Sequence, residues 1–131
     1  MDKFAVRQDM RRRRDAMSLD DVLNLSRAVE DRLFSGKDFS SCQNIMFFLS
    51  FGNELRTDEM ITHALKDGKQ VYVPLLIKRE RRLEVCEIND MDQEFELGSY
   101  DIREPSQSNS KVVSPSIIDA IIAPGLAFDG S

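Results

Sequence analysis

The residues best able to do chemistry are few and widely separated. Glu54 lies in a polar elbow, Ser50-Phe51-Gly52-Asn53-Glu54, that follows the unbroken apolar run Ile45 to Leu49. A carboxylate there can accept hydrogen bonds from a donor-rich ligand, or it can serve the chain by capping a helix entry or pairing with Arg56. Lys3 and Arg7 are four residues apart, so on a helix they project from one face; they can hold an anion between them or form an ordinary solvated face. His63 is the only histidine. With no partner histidine and no acid or cysteine at ligand spacing, it is expected to be structural or at the surface rather than a metal ligand. Neither common glycine-rich phosphate loop is present, and no serine or cysteine nucleophile stands in a recognisable context with that histidine.

The elements needed to position these groups can be read in order. Asp2 to Met17 has the pattern of a surface helix with few apolar contacts, Phe4, Met10 and Met17. The basic run Arg11 to Arg14 fans around that helix rather than forming a flat patch, and solvation or ion pairing with Asp9 and Asp15 is expected. Ser18 with Asp21 three residues on marks a helix start, and Val22, Leu25, Val29 and Leu33 supply its inward stripe as far as Ser35-Gly36. Ile45 to Leu49 suits a strand buried on both faces in the middle of a sheet. The turn formers Ser50, Gly52 and Asn53 break it at its carboxyl end, where open α/β sheets hold their ligands.

Thr57 is expected to cap a helix carrying Asp58 and Glu59 in its first turn and Met60, Ile61, Ala64 and Leu65 inward, with Gly68 closing it. Gln70 to Ile77 follows as a second strand, giving a βαβ unit with parallel strands. Pro74 removes a ladder donor, so this strand should end there or run at an edge. Leu83 to Ile88 reads as a more peripheral strand in a hairpin-like pair, Asn89 to Glu96 as a solvated acidic segment, 106–116 as a mobile serine-rich loop, and Ile117 to Ala123 as another buried strand stopped by Pro124-Gly125. The fold class expected is a single α/β domain over 1–131, a layered sandwich with a mostly parallel central sheet flanked by helices. A strand whose exit loop ends the chain is unusual for this class, so a continuation beyond Ser131 is expected.

Composition sets limits on function. The chain has 131 residues, 41% hydrophobic and 31% charged, enough for one domain with a substantial core. No apolar run approaches the roughly 20 residues that span a bilayer, and the charged amino terminus lacks a leader's apolar segment, so a cytoplasmic protein is expected. Cys42 and Cys86 could pair, but reduced thiols are expected. A net charge of -5 argues against polyanions and hence nucleic acid, while leaving room for a small phosphorylated ligand.

An ordered set of stretches resembles the 5-formyltetrahydrofolate cyclo-ligase (5,10-methenyltetrahydrofolate synthetase) family. These are Lys3-x-x-x-Arg7, Phe48-Leu49-Ser50 through Glu54-Leu55-Arg56-Thr57, and Ile121-Ile122-Ala123-Pro124-Gly125-Leu126-Ala127-Phe128-Asp129, with Gly68-Lys69 and Ile102-Arg103-Glu104-Pro105 between them. No single motif is diagnostic; their order and spacing along the chain carry the resemblance. The resemblance implies closure of 5-formyltetrahydrofolate to 5,10-methenyltetrahydrofolate with ATP and Mg2+, releasing ADP and phosphate. Attack of N10 on the formyl carbon must expel its oxygen; phosphoryl transfer to that oxygen lets phosphate depart instead of hydroxide.

The resemblance also implies roles. Lys3 and Arg7 match positions that contact the nucleotide phosphates, Leu49 and Glu54 match positions lining the folate site, and Tyr100 falls where an aromatic residue can stack on the substrate. Relatives continue into a glycine-rich stretch with arginine, paired tyrosines and an aspartate that holds most nucleotide contacts and a magnesium ligand. The 131 residues alone are therefore expected to turn over poorly or not at all, and the active protein to be a monomer acting on a small molecule. The alternative is a non-catalytic or repurposed relative that binds folate or nucleotide.

Overall fold

A computed structural model of the chain describes residues 2–91, 95–97, 103–105 and 111–124. Its centre is a five-stranded mixed sheet of order β6-β3-β2-β1-β7. The strands are β1 (Asn44–Phe47), β2 (Gln70–Ile77), β3 (Arg82–Ile88), β6 (Lys111–Val113) and β7 (Ala120–Ile122). β1 is parallel to both β2 and β7, whereas β3 is antiparallel to both β2 and β6. β3 therefore runs alone against four strands of common direction, which makes the sheet mostly parallel, as the sequence leads one to expect. A second ribbon pairs β4 (Phe95–Leu97) with β5 (Arg103–Pro105).

Helix α4 (Asp58–Lys66) crosses from β1 to β2 and buries Met60, Ile61 and Ala64 against the sheet. They meet Ile45, Phe47, Val71, Val73 and Ile88, alternate residues of β1, β2 and β3. Phe39 of the short helix α3 (Lys37–Ser40) and Leu33 and Phe34 of α2 (Leu19–Ser35) close this layer. Helix α2 begins where the capping pattern places it: the Ser18 hydroxyl accepts from the Asp21 amide at 3.1 Å. Gly68, at φ 82, takes the left-handed conformation that turns the chain from α4 into β2. Cys42 and Cys86 are not joined in a disulfide, and no helix of the described residues is long and apolar enough to cross a membrane.

Five expectations need correction. β1 is not buried on both faces: its burial alternates, with Ile45 and Phe47 fully covered and Asn44 and Met46 only partly. β2 does not stop at Pro74; seven pairs with β3 carry it to Ile77, and it is the parallel partner β1 that leaves after Tyr72. Thr57 occupies the N-cap position of α4 but makes no capping bond, because its hydroxyl is used inside the elbow. The described part of 106–116 is not loop throughout: Lys111–Val113 forms β6, and a 3₁₀ turn follows at Pro115–Ile117. The last strand is three residues long with Ile121 60% exposed, so it is not a buried central strand. Helix α1 (Lys3–Asp15) is peripheral as expected, with no buried residue.

Candidate functional site

The elbow after β1 is held by polar contacts. The Ser50 hydroxyl donates to the Leu55 carbonyl at 2.8 Å and accepts from the Thr57 amide at 2.8 Å, and it lies 3.0 Å from the Thr57 hydroxyl. Thr57 in turn donates to the Phe48 carbonyl at 2.7 Å. Both side chains are buried, so the pair satisfies backbone groups that water cannot reach. Two further ties fix the elbow to the helices: the Asn53 side-chain Nδ2 donates to the Arg14 and Met17 carbonyls at the end of α1, and the Arg56 backbone amide donates to the Ser26 hydroxyl of α2 at 2.8 Å. Gly52, at φ 58, permits the tight turn at the tip.

Glu54 sits on this frame. Its Oε1 accepts from the Phe51 amide at 2.9 Å, while its own amide donates back to the Phe51 carbonyl at 3.1 Å. Among the described ion pairs it has none with Arg56, so that reading of the carboxylate is not realised. A carboxylate has about four lone-pair sites, so one internal bond leaves capacity for a ligand.

Glu54 and Leu49 line the same cavity, of about 370 Å³, at the carboxyl ends of β1 and β7. Leu49 is 4% exposed and belongs both to the core and to the cavity wall. Met46, Phe48, Pro74, Leu76, Leu83 and Ile121 make most of the remaining wall apolar, and Arg103 and Glu104 join Glu54 as its charged groups. A hollow of about 470 Å³ between α2 and α4 is lined by Glu30, Asp58, Glu59, Thr62, His63 and Lys66, with Met91 as its one apolar residue. An apolar enclosure with a few converging polar groups is the better small-molecule site.

Arg103 and Glu104 belong to a stretch that carries the family resemblance, but the sequence assigns them no role, since their partners are distant in the chain. Both terminal nitrogens of Arg103 reach Asp58, at 2.7 and 3.0 Å, and one lies 3.4 Å from the Ser50 carbonyl. The hydrogen bonds to Asp58 raise the guanidinium's pKa above its ordinary value, against the opposing effect of burial. Glu104 accepts from the Leu76 amide at 2.8 Å. Asp119 is a third such case. Its Oδ2 accepts from the Gln43 and Asn44 amides at 3.0 and 2.9 Å, which lowers its pKa below 3.8 and ties β7 to β1.

The remaining sequence candidates separate from this site. Lys3 and Arg7 are exposed on α1, and neither forms a salt bridge among the described residues; Asp9 is taken by Arg12 and Arg13. Tyr100 lies outside the described residues. His63 does have carboxylates beside it, contrary to expectation: Nδ1 is 3.0 Å from the distant Glu30, Nε2 is 3.5 Å from Asp67 one helical turn on, and the ring stacks on Phe34 at 3.7 Å. This is a structural arrangement joining α2 to α4. No group of three or more His, Cys, Asp or Glu residues suited to a metal ion occurs among the described residues; magnesium needs only one or two carboxylates beside the phosphates of its nucleotide.

Comparison with known proteins covers the entire chain. The family model described as "5-formyltetrahydrofolate cyclo-ligase family" matches residues 1–131. A probable 5-formyltetrahydrofolate cyclo-ligase of Caenorhabditis elegans is 27% identical over 130 residues, 96% of this chain and 63% of the relative. The mouse 5-formyltetrahydrofolate cyclo-ligase is 23% identical over 131 residues, 97% of this chain and 64% of that protein. The NMR structure of Aquifex aeolicus 5,10-methenyltetrahydrofolate synthetase superimposes with a TM-score of 0.82 at 22% identity, covering 98% of this chain and 63% of that one. The chain thus spans less than two thirds of the length of these relatives.

Proposed function

The chain belongs to the 5-formyltetrahydrofolate cyclo-ligase family, and from that premise we propose that it forms the folate-holding part of an enzyme that converts 5-formyltetrahydrofolate to 5,10-methenyltetrahydrofolate with ATP. One observation carries the reading: Leu49 and Glu54, separated by the polar elbow, line one cavity whose wall is mostly apolar and whose charged groups are few. The pterin ring of a folate has flat apolar faces and a donor-rich edge, so it suits a wall of this kind with a carboxylate acceptor. Glu54 receives those donors, Leu49 packs against the ring, and the surrounding apolar residues exclude water from the formyl carbon. Glu54 orients the substrate and is not assigned a proton-transfer step.

Lys3 and Arg7, exposed and without a carboxylate partner among the described residues, are available for nucleotide phosphates. ATP supplies the phosphoryl group that makes the formyl oxygen a leaving group. The described residues offer no cluster of three or more metal-ligating side chains. We further place the enzyme in the cytoplasm as a monomer acting on a small molecule rather than on nucleic acid, in keeping with its net charge of -5.

The reading is tested on the protein carried to the full length of its relatives, by following methenyltetrahydrofolate absorbance with magnesium-ATP. Glu54→Gln should weaken 5-formyltetrahydrofolate binding by roughly tenfold or more while leaving ATP binding near wild type. Lys3→Ala with Arg7→Ala should do the reverse, and the opposite ranking would sink the assignment. Folate binding without ATP consumption would instead identify a non-catalytic relative.

A further inference from the structure

We propose that Arg103 is a positioning residue: with Asp58 it forms a clamp that holds the β5 wall of the cavity at a fixed distance from the elbow carrying Glu54. The inference rests on reading that cavity as the folate site. β5 reaches the cavity wall with two consecutive charged residues, and each is tied to a different element. Glu104 binds the Leu76 amide of β2 at 2.8 Å, and Arg103 binds Asp58, the first residue of α4, through both terminal nitrogens. One of those nitrogens also lies 3.4 Å from the carbonyl of Ser50, the residue around which the elbow is bonded. Arg103 further stands 5.9 Å from the centre of the Phe95 ring on the paired strand β4.

Two parallel N–H···O bonds fix the orientation of the partners as well as their separation. A lysine would keep the charge and lose the fork. Arg103 and Asp58 remain 28% and 46% exposed, so their attraction is screened and adds little to global stability. The geometry they set is therefore the larger consequence, and because Arg103 reaches neither Lys3 nor Arg7, the nucleotide should be indifferent to it.

The experiment uses Arg103→Gln, Asp58→Asn, the double variant and Arg103→Lys in the protein extended to its relatives' length, with steady-state kinetics and amide hydrogen exchange. Each single variant should raise KM for 5-formyltetrahydrofolate roughly tenfold, with kcat and KM for ATP within about twofold of wild type. The double variant should be no worse than either single one, and Arg103→Lys should recover only part of the loss. Exchange at the Glu54 amide, which bonds the Phe51 carbonyl, should quicken in every variant. An unchanged folate KM, an equal rise in KM for ATP, or full recovery by lysine would each overturn the proposal. If the wild-type protein fails to bind 5-formyltetrahydrofolate, the functional reading falls on its own. Amide exchange then decides the clamp, and an unchanged rate at Glu54 would refute it.

Discussion

The two faces of the central sheet are built from the same kind of sequence and do different things. On one face Ile45, Phe47, Val71, Val73 and Ile88 are all but inaccessible, sealed by α4. On the other, the alternate residues Met46, Phe48, Pro74, Leu76, Leu83 and Ile121 line a cavity, with Leu83 and Ile121 63% and 60% exposed. Hydrophobicity alone does not separate the two sets; the register of β1 against β2 and β7 does, since it sends alternate side chains to opposite sides. One face holds the domain together, and the other is left to meet a ligand.

The contrast can be broken most directly by truncating one residue from each face. Phe47→Ala removes a fully buried ring and should cost about 3–5 kcal/mol, whereas Ile121→Ala should stay within about 0.5 kcal/mol, both read from denaturant midpoints. Equal losses would mean that Ile121 is a core residue and the cavity is not open. At the boundary between the faces, Ser50→Ala leaves the buried Thr57 amide without its partner and should destabilise by about 1–3 kcal/mol. The same measurement checks it, and a negligible change would show that another group can satisfy that amide.

The smallest effect belongs to Asp119 at the sheet's edge. Its folded-state pKa is depressed, so its carboxylate contributes stability above the unfolded value near 3.8, and that contribution is lost as pH falls through the lower folded value. Asp119→Asn should therefore be less stable than wild type near pH 7, and the difference should shrink as pH falls through the depressed folded value. A difference that persists in acid would assign the role to side-chain shape instead of charge.

The parts legible in the sequence were those whose causes are local. Ser18 and Asp21 start α2 through one short-range bond, and the stripe Met60, Ile61, Ala64 faces inward by helical period alone. Glu54 could be placed at a strand exit because Gly52 and Asn53 mark the turn, although its internal partner, the Phe51 amide, could not be read from residue types. What stayed hidden depends on distant partners. The three-residue strands β5 and β6 exist only by pairing with β4 and β3, and three residues show no usable period. Pro74 marks the point where β2 loses β1 as a neighbour, after Tyr72, and a missing ladder donor in the sequence does not tell this from a strand end, since β3 follows β2 past it. Arg103 had no role in the sequence beyond its place in a family-like stretch, since nothing near it points to Asp58, 45 residues away.

The bonds from Asp119 to Gln43 and Asn44 join points 76 and 75 residues apart. The end of the β2–β3 pairing, Ile77 opposite Arg82, closes a far shorter loop. By simple chain statistics the longer closure is dearer in entropy by about 2 kcal/mol. Order of assembly follows from that difference: the hairpin can form while it is still isolated, whereas β7 must wait for nearly all of the intervening chain. On a growing polypeptide, the carboxyl ends of β1 and β7 would be the last part of the cavity's rim to come together.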